Sequence, residues 1–251
     1  MVEIYRKRIQ IAPVGFEVDR VVIPAIKEKA EKVYLMVHKD RSKDKATKYA
    51  AAIQRKLKAA NIETELVYCD WENIEEITRV ARDLILQESS NEVAINLASG
   101  SKNHAIGLDR ACMTFRKRKH IHPFYPEAEK WTAWRYPKQQ STGVKKIRQI
   151  PIHRIIVPEP ELIDALKIIK RDAVLIPRHK GMYGVKKKVL TKALYGDDSK
   201  VSMTKLQRNI TGKLKSTWRA IDWVPVGQSD WIYLTDEGKY LVYILKNEET
   251  Y

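Results

Sequence analysis

Between residues 96 and 103 the chain reads Asn96-Leu97-Ala98-Ser99-Gly100-Ser101-Lys102-Asn103. This stretch follows the apolar run Val93-Ala94-Ile95 and precedes a helical pattern from His104 to Phe115. Strand, short polar loop and helix together can bind an anion. The first turn of a helix offers backbone N–H groups without acceptors and a partial positive charge. Gly100 lets the backbone come close to a ligand, Ser99 and Ser101 supply hydroxyls, and Lys102 supplies a cation. The spacing is neither the P-loop G-x-x-x-x-G-K-[ST] nor the dinucleotide G-x-G-x-x-G. A capped helix start that binds nothing would use the same residue types, because Ser and Asn are common N-caps. No catalytic residue, metal ligand or cofactor is read from the rest of the chain. His120 and His122 share a face of a strand pattern but have no evident third ligand, and no PD-x-E/D-x-K pattern occurs.

The elements that must hold this loop can be read in order. Arg8 to Val14 reads as a first strand and Gly15-Phe16-Glu17 as a turn. Asp19 to Ala30 reads as a helix carrying Pro24 in its first turns. Lys32 to His38 is a near-continuous apolar run, as in a strand buried on both faces. Ala46 to Ala60 has helical spacing, with Tyr49, Ala50, Ile53 and Leu57 on one face. Glu63 to Tyr68 is a third strand, a helix is expected to begin at Asp70-Trp71, and Glu92 to Leu97 is a fourth strand. Ile121 to Tyr125, Trp131 to Arg135 and Gln149 to Val157 read as further strands. Arg116 to Lys119 reads as a cationic helix end. Strand–helix alternation predicts an α/β fold, a Rossmann-like, doubly wound and mainly parallel sheet. In such a sheet the ligand lies where strand order reverses, which places Val14 to Glu17 beside Ala98 to Lys102. His38, Lys39, Asp70, His104 and Tyr125 fall at strand ends or helix starts and are candidates for the rim.

Pro158-Glu159-Pro160 is a stiff joint that divides the chain into residues 1–157 and a smaller domain, 158–251. Helices are expected over Glu161 to Lys170 and Val185 to Tyr195, with an irregular connection around Val174 to Gly181. Ser202 is read as the N-cap of a helix from Met203 to Ile221. Its apolar face carries Met203, Leu206, Ile210, Leu214, Trp218 and Ile221. The opposite face carries Lys205, Arg208, Gly212, Lys215, Ser216 and Arg219. Gly212 in mid-helix suits a close approach to a phosphate backbone, a packing need or simple tolerance. Trp223 to Val226 and Trp231 to Leu234 read as a hairpin around Gly227 to Asp230, and Thr235 starts a last helix.

With 47 Lys and Arg against 31 Asp and Glu, the formal net charge is +16. Between Arg178 and Arg219 there are 12 basic residues and two acidic ones, Asp197 and Asp198. The charge suits an anionic partner, most often nucleic acid or a phosphorylated ligand, and so local an excess favours contact with a polyanion. No run of about 18 apolar residues exists, so no membrane span is expected. The N-terminus lacks a signal-peptide pattern, and Cys69 and Cys112 form no framework, which together predict a reduced, cytoplasmic setting.

Two motifs carry a family resemblance. Gly15-Phe16-Glu17 with Arg20 beyond it looks like the first motif of CARF domains, the CRISPR-associated Rossmann fold. Asn96 to Lys102 resembles their second motif, an Asn-x-Ser/Thr-Gly-Gly-Ser/Thr-Lys loop, with Ala98-Ser99-Gly100 departing from its paired glycines. The resemblance covers about residues 5 to 157. It implies a homodimer that binds a cyclic oligoadenylate second messenger, with Gly15, Phe16, Ser99, Gly100, Ser101 and Lys102 at the ligand. Residues 160 to 251 resemble winged helix-turn-helix regulators, most closely in Leu234-Thr235-Asp236-Glu237-Gly238. That resemblance implies DNA contact through Lys205, Arg208, Lys215, Ser216 and Arg219, and hence a ligand-responsive transcription regulator. A ring nuclease that cleaves the cyclic ligand, or a nucleotide-binding scaffold without DNA, are the alternatives.

Overall fold

The computed structural model describes residues 5–115, 120–132, 138–151, 157–227 and 229–245. The chain divides into two compact units, Met1–Ile156 and Val157–Tyr251. In the first, the apolar runs become strands β1 (Arg8–Pro13), β2 (Lys32–His38), β3 (Glu63–Cys69), β4 (Glu92–Asn96), β5 (Ile121–Trp131) and β6 (Ser141–Gln149). They form one sheet in the order β3-β2-β1-β4-β5-β6. All neighbours are parallel except β5 and β6. Helices α1 (Asp19–Lys27), α2 (Thr47–Ala59), α3 (Ile74–Gln87) and α4 (Lys102–Met113) connect the strands. Period-two alternation in β1 and β2 sends Ala12, Leu35 and Val37 into one core with residues of α1 and α2. Ile9, Ile11, Tyr34 and Met36 enter a second core with residues of α3 and α4. Helices therefore cover both faces of the sheet, the doubly wound arrangement expected from the alternation.

Several boundaries differ from the sequence reading. The third helix begins at Ile74, with Asn73 as its N-cap, because Asp70 instead closes a turn. Trp131 does not open a strand; it is the last residue of β5, and Ala133 to Arg135 lie outside the described residues. β6 was not anticipated, since Ser141-Thr142-Gly143-Val144-Lys145-Lys146 is cationic and broken by a glycine at φ +68°. Of the strand expected over Gln149 to Val157, only Gln149 belongs to a strand, Ile150, Pro151 and Val157 do not, and residues 152–156 lie outside the described set. So does the run Arg116 to Lys119.

The second unit runs α5 (Pro160–Arg171), β7 (Val174–Leu175), β8 (Tyr183–Lys186), α6 (Lys187–Tyr195), α7 (Lys200–Leu206), α8 (Gly212–Ser216), β9 (Ile221–Val226), β10 (Ser229–Leu234) and α9 (Asp236–Ile244). Its sheet has the order β7-β8-β10-β9. Leu162, Leu166, Leu190, Leu206, Ile210, Leu214, Ile232 and Val242 meet in one core. The helix N-cap is Ser199, not Ser202: the Ser199 hydroxyl accepts from the Ser202 N–H, so the helix starts three residues earlier than Met203. It ends at Ser216, and Ile221 already belongs to β9.

Between α7 and α8 lies a π-helical turn, Gln207–Thr211. Leu206, Ile210 and Leu214 are spaced by four, and in an ordinary helix that row drifts by about 40° per step. The wider π turn absorbs the drift and keeps all three buried. A Cβ on Gly212 would sit 2.6 Å from the Gln207 carbonyl oxygen. The glycine is therefore required by the helix's own packing, one of the reasons open at the sequence level.

Candidate functional site

Strand order reverses between β1 and β4, and the loops that follow these two strands meet there. A Cβ placed on Gly15 would lie 2.7 Å from the Gly100 nitrogen, so the two backbones are in van der Waals contact. Gly100 has φ +80° and packs against Pro13 and His104. Two side chains fix this meeting. Pro24, inside α1, has no N–H to give the Arg20 carbonyl, and the Asn96 side-chain amide donates to that carbonyl at 2.8 Å instead. The Asn96 side-chain oxygen in turn accepts from the Ala98 N–H at 3.0 Å. The last residue of β4 thus replaces a bond that a proline removed from α1.

The two helix starts at this edge differ. That of α1 is closed: the Gln139 side-chain oxygen accepts from the N–H groups of Val18 (3.0 Å) and Asp19 (3.2 Å). Gln140 donates its N–H to the Phe16 carbonyl at 2.9 Å, and the Ser141 hydroxyl donates to Glu17 at 2.7 Å. The segment leading into β6 therefore clamps the loop after β1. No signal in the sequence pointed to Gln139, because the contact joins residues more than a hundred positions apart. The start of α4 is capped but keeps two N–H groups open. Ser101 caps it by accepting from the His104 N–H, while the N–H groups of Lys102 and Asn103 meet no acceptor among the described residues. Gly100, Ser101 and Lys102 are exposed there. Ser99 is buried, and its hydroxyl has no partner among the described residues. The Phe16 ring packs on Tyr49, with centroids 5.5 Å apart, against the core under α2.

His104 completes the cap. Its Nδ1 accepts from the Ser101 N–H at 3.2 Å, which leaves the proton of the neutral ring on Nε2. Nε2 is buried without a partner among the described residues. Burial, reinforced by nearby His38, pushes the pKa of His104 down to about 4. The unfolded chain takes up this proton near pH 6.5 and the folded chain only near pH 4. His104 therefore contributes stability that is present above pH 6.5 and is lost as pH falls through that window, at up to about 1.4 kcal/mol per pH unit. Denaturant midpoints recorded from pH 7 to 4 should show this slope in the wild type and a flatter one in His104→Asn. Parallel slopes would show that His104 does not titrate differently on folding.

The remaining rim candidates split into two groups. His38 accepts from the Asp40 N–H at 2.9 Å, has Nε2 3.7 Å from Asp70, and stands edge-on to Trp71, which also faces His104. Lys39 is engaged by Glu76 at 2.9 Å and Asp70 at 3.5 Å. Tyr125 lies on the other side of the reversal point, against Arg20.

In the second unit, Lys205 and Arg208 are exposed, and Lys205 lies over the Tyr195 ring at 4.9 Å. Lys215 is ion-paired with Asp222 at 2.7 Å and stacked on Trp223 at 4.0 Å. The Ser216 hydroxyl donates back to the Gly212 carbonyl. Arg219 is not on the helix face assigned to it; it sits in the turn before β9 at φ +48°. The expected single stripe is thus reduced to Lys205 and Arg208 as exposed cations, because the helix stops at Ser216.

Comparison with known proteins gives one family model, confined to the first unit, and more distant likenesses that extend beyond it. A family model described as HFX_2341_N:-like, N-terminal, matches residues 8–131. An uncharacterized protein of Methanocaldococcus jannaschii is 26% identical over 190 residues, 66% of this chain, and the chain spans only 57% of that relative's length. Among solved structures, Can2 from Sulfobacillus thermosulfidooxidans in complex with cyclic tetra-adenylate is 11% identical, with a TM-score of 0.42, over 94% of this chain and 61% of that one. Enterococcus italicus Csm6 bound to cyclic hexa-2'-fluoro-hexa-dAMP is 12% identical, with a TM-score of 0.41, over 59% of this chain and 43% of that one. Protein VC1899 from Vibrio cholerae is 12% identical, with a TM-score of 0.41, over 91% and 76%. At this distance a likeness assigns no ligand, and the chain is similar, over residues 8–131, to the HFX_2341_N:-like N-terminal family.

Proposed function

We propose that this chain is a ligand-responsive transcription regulator whose first unit binds a cyclic oligoadenylate and whose second unit binds double-stranded DNA as a homodimer. One observation carries the reading: of the two helix starts at the strand-order reversal, that of α1 has its first N–H groups taken by Gln139, whereas that of α4, capped by Ser101 and His104, leaves the N–H groups of Lys102 and Asn103 without an acceptor among the described residues. The open start, with two N–H groups and Lys102 beside it, accepts a phosphate without displacing any protein bond. The buried, unpartnered Ser99 hydroxyl adds a donor to the same loop. The two motifs noted in the sequence fall on the two loops in contact, which supports a CARF-type site over an unspecialised anion site.

The DNA-binding part rests on the second unit. A helix–strand–strand–helix–helix–hairpin–helix order, with an exposed cationic helix ahead of the hairpin, suits a winged helix that lays α7 and the following turn in the major groove. On the helix, Lys205 and Arg208 are exposed cations with no ion pair among the described residues. Lys215 is neutralised by Asp222, and Asp230 at the hairpin makes a strong wing contact unfavourable.

The two roles should separate cleanly by mutation. A thermal-shift screen of cyclic oligoadenylates should raise the melting temperature of the wild type, because the ligand binds only the folded state. Lys102→Ala should weaken the ligand about tenfold or more while keeping DNA affinity, since a charge-assisted hydrogen bond contributes roughly 1.5–3 kcal/mol. Arg208→Ala should do the reverse in mobility-shift assays with the DNA upstream of its own gene, and should lower the salt slope by about one. Unchanged ligand affinity in Lys102→Ala would remove the site assignment.

A further inference from the structure

Arg20 is a cation buried to 2% exposure in the first turn of α1. Its Nε donates to the Pro126 carbonyl at 2.8 Å and its Nη1 to Glu17 at 2.8 Å, and Glu17 is itself held by Ser141. The guanidinium is therefore fixed to β5 and β6 by three bonds of one network. Two aromatic rings lie against it, Tyr125 at 4.9 Å and Trp131 at 5.4 Å. Trp131 remains 64% exposed and Tyr125 37% exposed. An indole left that open gains little from core packing, yet a buried charge lies against it. The Nη2 of Arg20 is buried and has no acceptor among the described residues, which is a costly arrangement for a charged donor.

The platform adjoins the anion site. Arg20 is the residue whose carbonyl receives the Asn96 amide, and Phe124 of β5 lies beside Asn96 in the sheet. Tyr125 therefore stands next to the loop that leads to Gly100 and Lys102. Flat π-surfaces beside an anion-binding helix start match a nucleotide, whose phosphate and base lie on one molecule.

The geometry points to Trp131 and Tyr125, held on Arg20, as a stacking platform for a purine base of the ligand whose phosphate meets the start of α4. This deepens the nucleotide-sensing reading and rests on it. The exposed indole face supplies the stack, and the unpaired Nη2 supplies a donor for an acceptor carried by the ligand as the rings adjust around it.

Calorimetric titration with cyclic tetra-adenylate, and with inorganic pyrophosphate as a base-free probe, tests the platform on the full chain. Trp131→Ala should weaken cyclic tetra-adenylate roughly tenfold to a hundredfold, the usual worth of one base stacked on an aromatic ring. Trp131→Phe should restore most of the affinity, and pyrophosphate should not distinguish either variant from wild type. Lys102→Ala should weaken both probes. Wild-type affinity in Trp131→Ala together with a weakened Lys102→Ala would overturn the platform and leave the anion site standing. An equal loss for both probes in Trp131→Ala would overturn it too, as a merely structural effect. So would a change in the sedimenting species, which would reassign the indole to contact between copies of the chain. A wild type that binds neither probe would remove the anion site and the platform together.

Discussion

Gly238→Ala is expected to destabilise the second unit strongly. Gly238 lies in the first turn of α9, where Thr235 caps the helix by accepting from the Gly238 N–H at 3.1 Å. The Thr235 hydroxyl donates to the Arg219 carbonyl, and the Thr235 N–H donates to the Ala220 carbonyl at 3.1 Å. A Cβ on Gly238 would fall inside the van der Waals envelope of the Ala220 oxygen. The obstacle is backbone, fixed by that same Thr235 bond, so no side chain can swing away. Overpacking of a rigid contact costs about 3 kcal/mol, occasionally more. That is a large share of what a domain of this size has in reserve. Gly196→Ala is the control. Gly196 has φ +81° but nothing within 4 Å of its missing Cβ, so only the backbone conformation is penalised, by roughly 1–2 kcal/mol. Chemical denaturation followed by far-UV circular dichroism should rank the two variants in that order. Equal effects would mean that Ala220 and α9 can separate at little cost. The motif Leu234-Thr235-Asp236-Glu237-Gly238, which gave the strongest hint of a winged helix, has this physical content: it docks the last helix on the turn that leads into the hairpin.

Gly15→Ala should both destabilise the first unit and disable its site. The φ of Gly15 is not among the left-handed ones, so alanine is permitted there by backbone conformation. The cost is steric, because the new methyl would meet the Gly100 nitrogen at 2.7 Å and its Cα at 2.9 Å. Two backbone loops must part, at about 1–3 kcal/mol. Parting them moves the open start of α4 relative to Arg20 and the α1 loop. Affinity for a cyclic oligoadenylate is therefore expected to fall by more than stability explains, about a hundredfold on the scale of a displaced binding group. Melting temperature and calorimetric affinity measured on the same preparation separate the two effects. A variant that loses stability but binds like wild type would show that the loops touch without acting as one site.

The strands and helices facing the sheet were legible because each buries a face with a regular period. Lys32–His38 agrees residue for residue, and Glu63–Cys69 and Thr47–Ala59 to within a residue at each end. Helix starts were less legible where several polar residues compete to cap. Asp70 and Ser202 looked like starts, but Asn73 and Ser199 do the capping. β6 was missed because its alternation is thin: Ser141 and Val144 face inward and most of the rest is polar. The π turn was invisible in the residue pattern until the spacing of Leu206, Ile210 and Leu214 was matched to a fixed helix geometry.

By itself the sequence determined the alternation of strands and helices, and therefore which loops fall at one edge of a parallel sheet. Short-range periodicity and the right-handed crossover suffice for that. It also marked Gly100, Ser101 and Lys102, since their chemistry is local to one turn. Tertiary structure alone decided which helix start stays open, because Gln139 reaches the start of α1 from beyond β5. It alone put Asn96 on the carbonyl that Pro24 leaves unpaired, buried Arg20 beneath Tyr125 and Trp131, and neutralised Lys215 with Asp222. Each of these joins residues whose relation is set by the path of the chain through space, and no residue type or local spacing encodes that path.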